Sequence, residues 1–419
     1  MRARILVAGV VTALSVGLLA CGLFFPTVEG EGPGPAGDSG GGGDTTAGGD
    51  AAQGPDAGVD GSVSAKDFSI SVSPSYFALP AGQSASVTIA VHRLASFTGQ
   101  VNVTLSGVPN GVMAQPSTTF IPQAPVTSTI VQLTAAQTLT PAELGDFQVT
   151  VSGSNVTGDQ SASTTFTVHI PGVLAAFATP GTVVFPVPSN VPLLRVKAWG
   201  AGGGSGCSGG NGAGGGGPGG FVLADAVVVP SEMLSIHVGA SVPGSCFGHH
   251  PVVGGEGSAV LRGATILVVA GGGGGGGDGC AGLGGAGGAG GGPMGGNGSP
   301  GQCGGAGGGG ATQLADGVSP SGDAGGGGGG LHSGGTGSSG NNNQCSTFCG
   351  EYGGNGGGSG GSNALDAGVT VVTNLPGNQG PPDTSDPDWS PDAGVPAGSY
   401  TGSGSGQAGS PGRIVILVP

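Results

Sequence analysis

The sequence predicts an all-β protein: two successive β domains on a flexible stem, the second domain carrying glycine helices. Three observations predict it. Six segments between residues 68 and 170 alternate apolar and polar residues with period two, the mark of strands with one buried face. Of 419 residues, 102 are Gly and 31 are Pro, a share past which an ordinary globular domain is doubtful. Charged residues make up only 7% and aromatics only 4%. A plain disordered chain carries more charge, and an ordinary enzyme of this length carries more acids, bases and aromatics. Collagen needs Gly at every third place over long stretches, and that pattern is absent.

The amino terminus reads as an address and an anchor. Arg2 and Arg4 form a positive segment, and Ile5 to Ala20 is an apolar run of 16 residues, short for a bilayer span. It ends in Leu18-Leu19-Ala20-Cys21. This resembles the lipobox of bacterial lipoproteins. The resemblance implies that residues 1–20 are a signal peptide, that Cys21 becomes the lipidated amino terminus, and that the carrier is a membrane. Three acyl chains together hold firmly where one is marginal. Gly22 follows the cysteine; inner-membrane lipoproteins of this kind often carry Asp there, so the resemblance favours the outer membrane, on its periplasmic or its cell-surface side. Residues 21–64 continue as the lipidated cysteine and a tether of Gly, Pro, Ala, Asp and Thr. From Gly30 onward this stretch has no aromatic residue and cannot bury enough apolar surface to fold. Some 35 residues of such chain reach roughly 30–35 Å.

Net charge is −15, from 8 basic and 23 acidic residues. Without Arg2 and Arg4, six basic residues face the same acids. No Lys/Arg cluster exists to neutralise phosphates, which excludes nucleic acid as an expected partner.

Composition changes at Lys66. Residues 65–171 form the first domain, in which Phe68–Ser73, Val87–Val91, Val101–Leu105, Thr129–Leu133, Phe147–Val151 and Phe166–Ile170 all alternate. Turn signals such as Leu79-Pro-Ala-Gly82 and Val108-Pro-Asn-Gly111 separate them. About seven short strands over this length predict an immunoglobulin-like sandwich. Asp67-Phe-Ser-Ile-Ser-Val-Ser-Pro74 and Phe97-Thr-Gly-Gln-Val-Asn-Val-Thr-Leu-Ser-Gly-Val-Pro-Asn-Gly-Val112 resemble the immunoglobulin-like modules of bacterial secreted enzymes and surface proteins, which act as spacers or binding platforms. His92 and His169 lie on strands and read as structural.

Residues 180–419 form the second domain. Val183–Val187, Val191–Trp199, Gly220–Leu223, Met233–Val238, Ser258–Leu261, Ala264–Ala270 and Arg413–Val418 read as strands. Between Gly200 and Gly361, 67 of 162 residues are Gly. Polyglycine adopts an extended threefold helix of the polyproline II type, unstable alone because its backbone groups point outward. Helices packed side by side satisfy one another, and only Gly permits the approach. Larger residues should then recur every third place. Cys280, Leu283, Ala286 and Ala289 do so, as do Met294, Asn297, Pro300, Cys303 and Ala306. The two ladders meet at Gly291-Gly292-Pro293, a plausible reversal. Trp199-Gly-Ala-Gly-Gly-Gly, Gly219-Gly-Phe and Val268-Val-Ala-Gly-Gly-Gly-Gly resemble the glycine-rich domain of the anaplastic lymphoma and leukocyte tyrosine kinase receptors and its bacterial relatives. That resemblance implies a jelly-roll-like β domain carrying polyglycine II helices, without the kinase, whose sequence signatures are missing. Phage tail-tip adhesins, with glycine helices that present recognition loops, are a looser parallel.

Candidate chemistry is sparse. Gly-x-Gly-x-x-Gly recurs by chance at this glycine content, and Gly357-Gly-Ser359-Gly-Gly361 lacks the strand–turn–helix setting of a hydrolase nucleophile. Asp383, Asp386, Asp388 and Asp392 bracket Trp389 in an acidic Pro/Gly loop at 376–411. Such hard oxygen ligands can hold calcium, but the reading favoured for them is a solvated acidic loop. Cys246, His249 and His250 have the ligand types of a zinc site, but the reading favoured for them is a disulfide cysteine beside two loop histidines. Besides Cys21, six cysteines remain: Cys207, Cys246, Cys280, Cys303, Cys345 and Cys349. An exported chain with an even set predicts disulfides. Equal rise along the two ladders sets Cys280 beside Cys303, leaving Cys207–Cys246 and Cys345–Cys349 by elimination. Asp-Ala-Gly-Val recurs at Asp56–Val59, Asp366–Val369 and Asp392–Val395 in linker-like surroundings. Together these features predict a non-enzymatic, membrane-anchored surface lipoprotein without a cofactor beyond its lipid. Its expected role is adhesion or binding of a protein or glycan ligand through the glycine-rich domain. A purely structural envelope or matrix component is the alternative, and a secreted-type hydrolase ranks third.

Overall fold

The computed structural model describes residues 67–419 apart from 95, 209–211, 242–253, 280–282, 293, 303–312, 316–326, 329, 334–363, 366–367, 378–382 and 400–405. The signal, Cys21 and the tether therefore lie outside the described residues. So do the zinc candidates and every cysteine but Cys207. The described chain is all β, with one single-turn 3-10 helix at Pro141–Glu143.

The first domain is a sandwich of two sheets. Strands β1 (Phe68–Ser73), β3 (Ser84–Arg93), β7 (Ser128–Ala135) and β5 (Val112–Gln115) make one. The other is β2 (Tyr76–Ala78), β9 (Ser161–Ile170), β8 (Gly145–Asn155), β4 (Val101–Ser106) and β6 (Thr118–Ile121). The chain crosses from the edge of the first sheet in β1 to the edge of the second in β2, which runs parallel to β9. This is an immunoglobulin-like arrangement. The alternation places Val87, Ile89 and Val91 of β3, Val131 and Leu133 of β7 and Val149 and Val151 of β8 in the core. His92 bonds Ser71 across strands at 2.8 Å.

The second domain stacks two five-stranded sheets. One is β10 (Gly172–Phe177), β21 (Arg413–Val418), β12 (Leu193–Trp199), β13 (Phe221–Val227) and β20 (Val369–Leu375). The other is β11 (Gly181–Pro186), β14 (Met233–Val238), β15 (Ser258–Arg262), β16 (Thr265–Ala270) and β19 (Ala364–Leu365). A small hairpin, β17 (Gln313–Ala315) and β18 (Gly330–Ser333), forms a two-stranded sheet of its own. Leu194, Val196, Ala198, Val222, Ile414 and Ile416 face Leu234, Ile236, Val260 and Val268 in a shared core, so the sandwich is jelly-roll-like. Strand β10 pairs with Ile414–Val418 of β21. Strand β20, which begins at the last residue of the second Asp-Ala-Gly-Val copy, pairs with β13 at the sheet edge.

The described glycine tracts, 200–208, 212–220, 271–279 and 283–291, pack side by side as ordered extended helices. Stretch 200–208 runs antiparallel to 212–220 through Gly200→Gly220 (2.9 Å), Gly203→Gly217 (2.8 Å) and Gly206→Gly214 (2.9 Å) N–H···O bonds. Stretch 212–220 bonds 271–279 in the same sense through Gly214→Gly277 and Gly217→Gly274. Stretch 271–279 in turn bonds 283–291 through Gly274→Gly288 and Gly277→Gly285. Parallel bonds cross-tie them, Gly276→Gly204 and Gly287→Gly215, both at 2.9 Å. In stretch 271–279, Gly273, Gly276 and Gly279 donate to one neighbour, and Gly274 and Gly277 to another. That is the threefold period itself.

Close packing explains the composition. A Cβ on Gly203 would strike the Gly274 carbonyl, and one on Gly217 the Gly288 carbonyl. The chain reverses after Gly291 and Gly292, at φ 93° and 67°, where the sequence placed the turn. The returning stretch 294–302 bonds 283–291 through Gly296→Ala289, Ser299→Ala286 and Gln302→Leu283 at 2.7–2.9 Å. Leu283, Ala286, Met294, Asn297 and Pro300 stand on the exposed edge, as the period-three ladders required. The register is two residues from the one on which the Cys280–Cys303 pairing rests; both cysteines lie outside the described residues. Cys207 is disulfide-bonded. Its own backbone is held by Gly279, which donates to its carbonyl at 2.8 Å.

The domains join without a linker: β9 ends at Ile170 and β10 begins at Gly172. Leu144, Ile170, Leu174, Val187 and Val191 belong to one continuous core across the junction. Asn190 donates to the Leu144 carbonyl at 2.7 Å and accepts, through its own carbonyl, from Asp146 N–H at 2.9 Å. His169 contacts Asp146 Oδ1 at 2.7 Å and the Pro419 carbonyl at 2.8 Å.

Candidate functional site

The most chemically equipped surface of the described chain is the acidic loop where it lies on the outer face of β12, β13 and β21. Strand alternation puts Leu194, Val196 and Ala198 inward, so Arg195, Lys197 and Trp199 face the other way. Trp199 is fully buried there, its ring 4.8 Å from that of Phe221. Ala393 and Val415 complete this second small core, with Trp389 packed against it. The loop therefore supplies an apolar lid, and its aspartates are set around that lid.

Two of the weak calcium candidates have a different cationic partner in this arrangement. Asp386 and Asp388 meet at the ammonium of Lys197, with Nζ 2.7 Å from each carboxylate. The cation they hold is a side chain of the same domain. Asp383 and Asp392 do not join them: among the described residues, no group of three or more His, Cys, Asp or Glu is gathered as a metal site. Burial works against the charge of Lys197, but the hydrogen bonds of Asp386 and Asp388 outweigh it and hold the ammonium above the ordinary lysine value. The turn is built locally. Asp388 N–H donates to Asp386 Oδ1 at 2.8 Å, Asp386 N–H to the Asp383 carbonyl at 3.1 Å, and Trp389 N–H to the Asp386 carbonyl at 3.0 Å. Asp383 itself takes the left-handed φ of 57°.

The third Asp-Ala-Gly-Val copy seats the loop on the glycine bundle. Ala393 enters the small core, and Gly394, at φ 68°, donates to the Pro411 carbonyl and accepts from Gly219 N–H. Ala397 exchanges bonds with Gly203 and Gly216, each at 3.0 Å. What read as linker is a fitted turn.

At the loop's edge lies a cavity of ≈ 180 Å³ lined by Ala178, Ser390, Asp392, Ala393, Pro411 and Arg413 among others. Arg413 spends Nε on the Asp388 carbonyl at 2.8 Å. Neither its two Nη groups nor the Asp392 carboxylate has a partner among the described residues. Sequence reasoning flagged Asp392 but missed Lys197 and Arg413. Their only signal was a basic residue on the non-core face of an otherwise apolar strand.

Elsewhere the charges are paired structurally. Arg195 grips Asp225 across strands with two bonds of 2.7 and 2.8 Å, and Arg262 grips Glu232 likewise. The Arg262 bonds hold the Glu232 carboxyl below its usual range; His237, then the Ala240 N–H, do the same for Glu256.

No family model matches the chain, and no curated protein is similar to it. Among solved structures it is similar to a crystal structure of the YadV chaperone, at 12% identity over 40% of this chain and 92% of that one, with a TM-score of 0.21.

Proposed function

We propose that the chain is a non-enzymatic surface lipoprotein that binds a ligand through its glycine-rich domain. Cys21 carries the acyl anchor in the outer membrane, and residues 21–64 hold the two β domains off the bilayer. The observation that best supports binding is the ordered loop at 383–397. It is clamped to the sheet by Lys197 and to the glycine bundle by Gly394 and Ala397, and it borders a small cleft of mixed lining at its rim. A concavity with apolar lining and a few placed polar groups is the ordinary make-up of a binding site.

Incubating the full-length, detergent-solubilised protein with glycan and outer-surface protein arrays tests the reading. Reproducible, saturable signal is the expected result. Silence on both arrays would contradict it and favour a structural envelope component.

A further inference from the structure

We propose that the cleft between the 390–393 turn and the start of β21 is a subsite for one ring of a neutral sugar. The inference rests on the ligand-binding reading and names its ligand class. Three residues with polar side chains line it, Ser390, Asp392 and Arg413, beside Ala178, Ala393, Pro411 and Gly412.

The chemistry of this set selects the ligand. Arg413 is fixed by its Nε bond to the Asp388 carbonyl, which leaves the two Nη groups as a donor pair. Asp392 is acceptor-only and Ser390 is both donor and acceptor. A fitting ligand must accept and donate at neighbouring atoms, as adjacent hydroxyls do. Charge argues against an anion. Lys197 and Arg413 face Asp386, Asp388 and Asp392, so the neighbourhood keeps one net negative charge, and the whole chain carries −15. Size agrees: ≈ 180 Å³ holds about six waters' worth of matter. That is the scale of one ring; drug-sized pockets start near 300 Å³. The Ala178, Ala393 and Pro411 surfaces give the carbon face of a ring something apolar to lie on. Trp389 adjoins Ser390 in sequence, so occupancy of the cleft is expected to alter its fluorescence.

The test is saturation-transfer NMR and tryptophan fluorescence on the full-length protein, with glucose, galactose, mannose and N-acetylglucosamine as probes and glucuronate and alanine as controls. At least one neutral sugar should bind saturably and more tightly than either control. Asp392→Ala removes an exposed side chain without a described partner, so the fold is not at stake; Arg413→Lys keeps the charge and loses the fork. Each should weaken binding at least about tenfold, the scale of a lost hydrogen bond to a charged group. Sugar binding unchanged in both variants would overturn the subsite while leaving a sugar-binding protein. No sugar binding, with a protein ligand found on the arrays, would overturn the subsite alone. Tighter binding of glucuronate or alanine would overturn the assigned ligand class. Silence throughout would overturn the broader reading as well.

Discussion

Lys197 shows how one residue changes the meaning of its neighbours. Four aspartates around a tryptophan look like a cation site, and two of them do hold a cation: the ammonium of Lys197. Removing one partner from a buried ion pair leaves uncompensated charge and costs about 3–5 kcal/mol. Lys197→Met should therefore destabilise the protein by about 3 kcal/mol in a denaturant melt, with Trp389 emission shifting to the red as the loop lifts. A variant with unchanged stability would mean that the loop is held by its apolar contacts alone. The acidic loop was legible in the sequence because charge and Pro/Gly content are local. Its partner was not, because Lys197 lies 189 residues before Asp386, and nothing in the local sequence records that separation.

Elements defined by a local period were read closely. Strand β14 begins and ends where apolar alternation places it, at Met233–Val238, and β21 where a continuous apolar run does, at Arg413–Val418. The glycine hairpin was legible from its period of three and its Gly-Gly-Pro reversal, since threefold helices put every third side chain on one edge. Several short strands escaped, and two longer ones, β10 and β20, show why. Val173-Leu-Ala-Ala-Phe177 lacks alternation and is defined by β21, far along the chain. Strand β20 begins within an Asp-Ala-Gly-Val copy and lies half exposed at a sheet edge. The register of the hairpin, two residues from the level-cysteine arrangement, is set by the positive φ of Gly291, Gly292 and Gly295, which composition does not specify. Glycine identity inside the bundle is a packing demand. Gly217→Ala would place a methyl on the Gly288 carbonyl, whereas Gly368→Ala meets nothing within 4 Å. Overpacking costs 1–3 kcal/mol and more against rigid backbone, so Gly217→Ala should lose at least about 3 kcal/mol in thermal or chemical melts and Gly368→Ala under about 0.5 kcal/mol. Equal effects at both sites would contradict the packed bundle.

At the scale of the whole molecule, the sequence divides into a stem and a body. Residues 64–419 form one compact unit, with β10 running straight on from the sandwich and a continuous core at Leu144, Leu174 and Val191. That continuity was not legible, because the domain boundary was drawn from a change in composition, and a shared core is a property of two surfaces. The stem is a matter of sequence alone. If Cys21 is the anchor, Cys21→Ser should move the protein from the membrane to the soluble fraction after a high-salt wash. Retention on the membrane would contradict the lipoprotein reading.

The central claim is that the glycine tracts are a hydrogen-bonded scaffold on which the loop is seated. Amide hydrogen exchange of the intact protein tests it most directly. Gly212–Gly220 and Gly271–Gly279 should be slowed by at least about a thousandfold relative to an unfolded chain, in step with strands β12 and β13, because their N–H groups are bonded within the same cooperative unit. Exchange at the unfolded rate across these tracts, with the strands protected, would contradict the account.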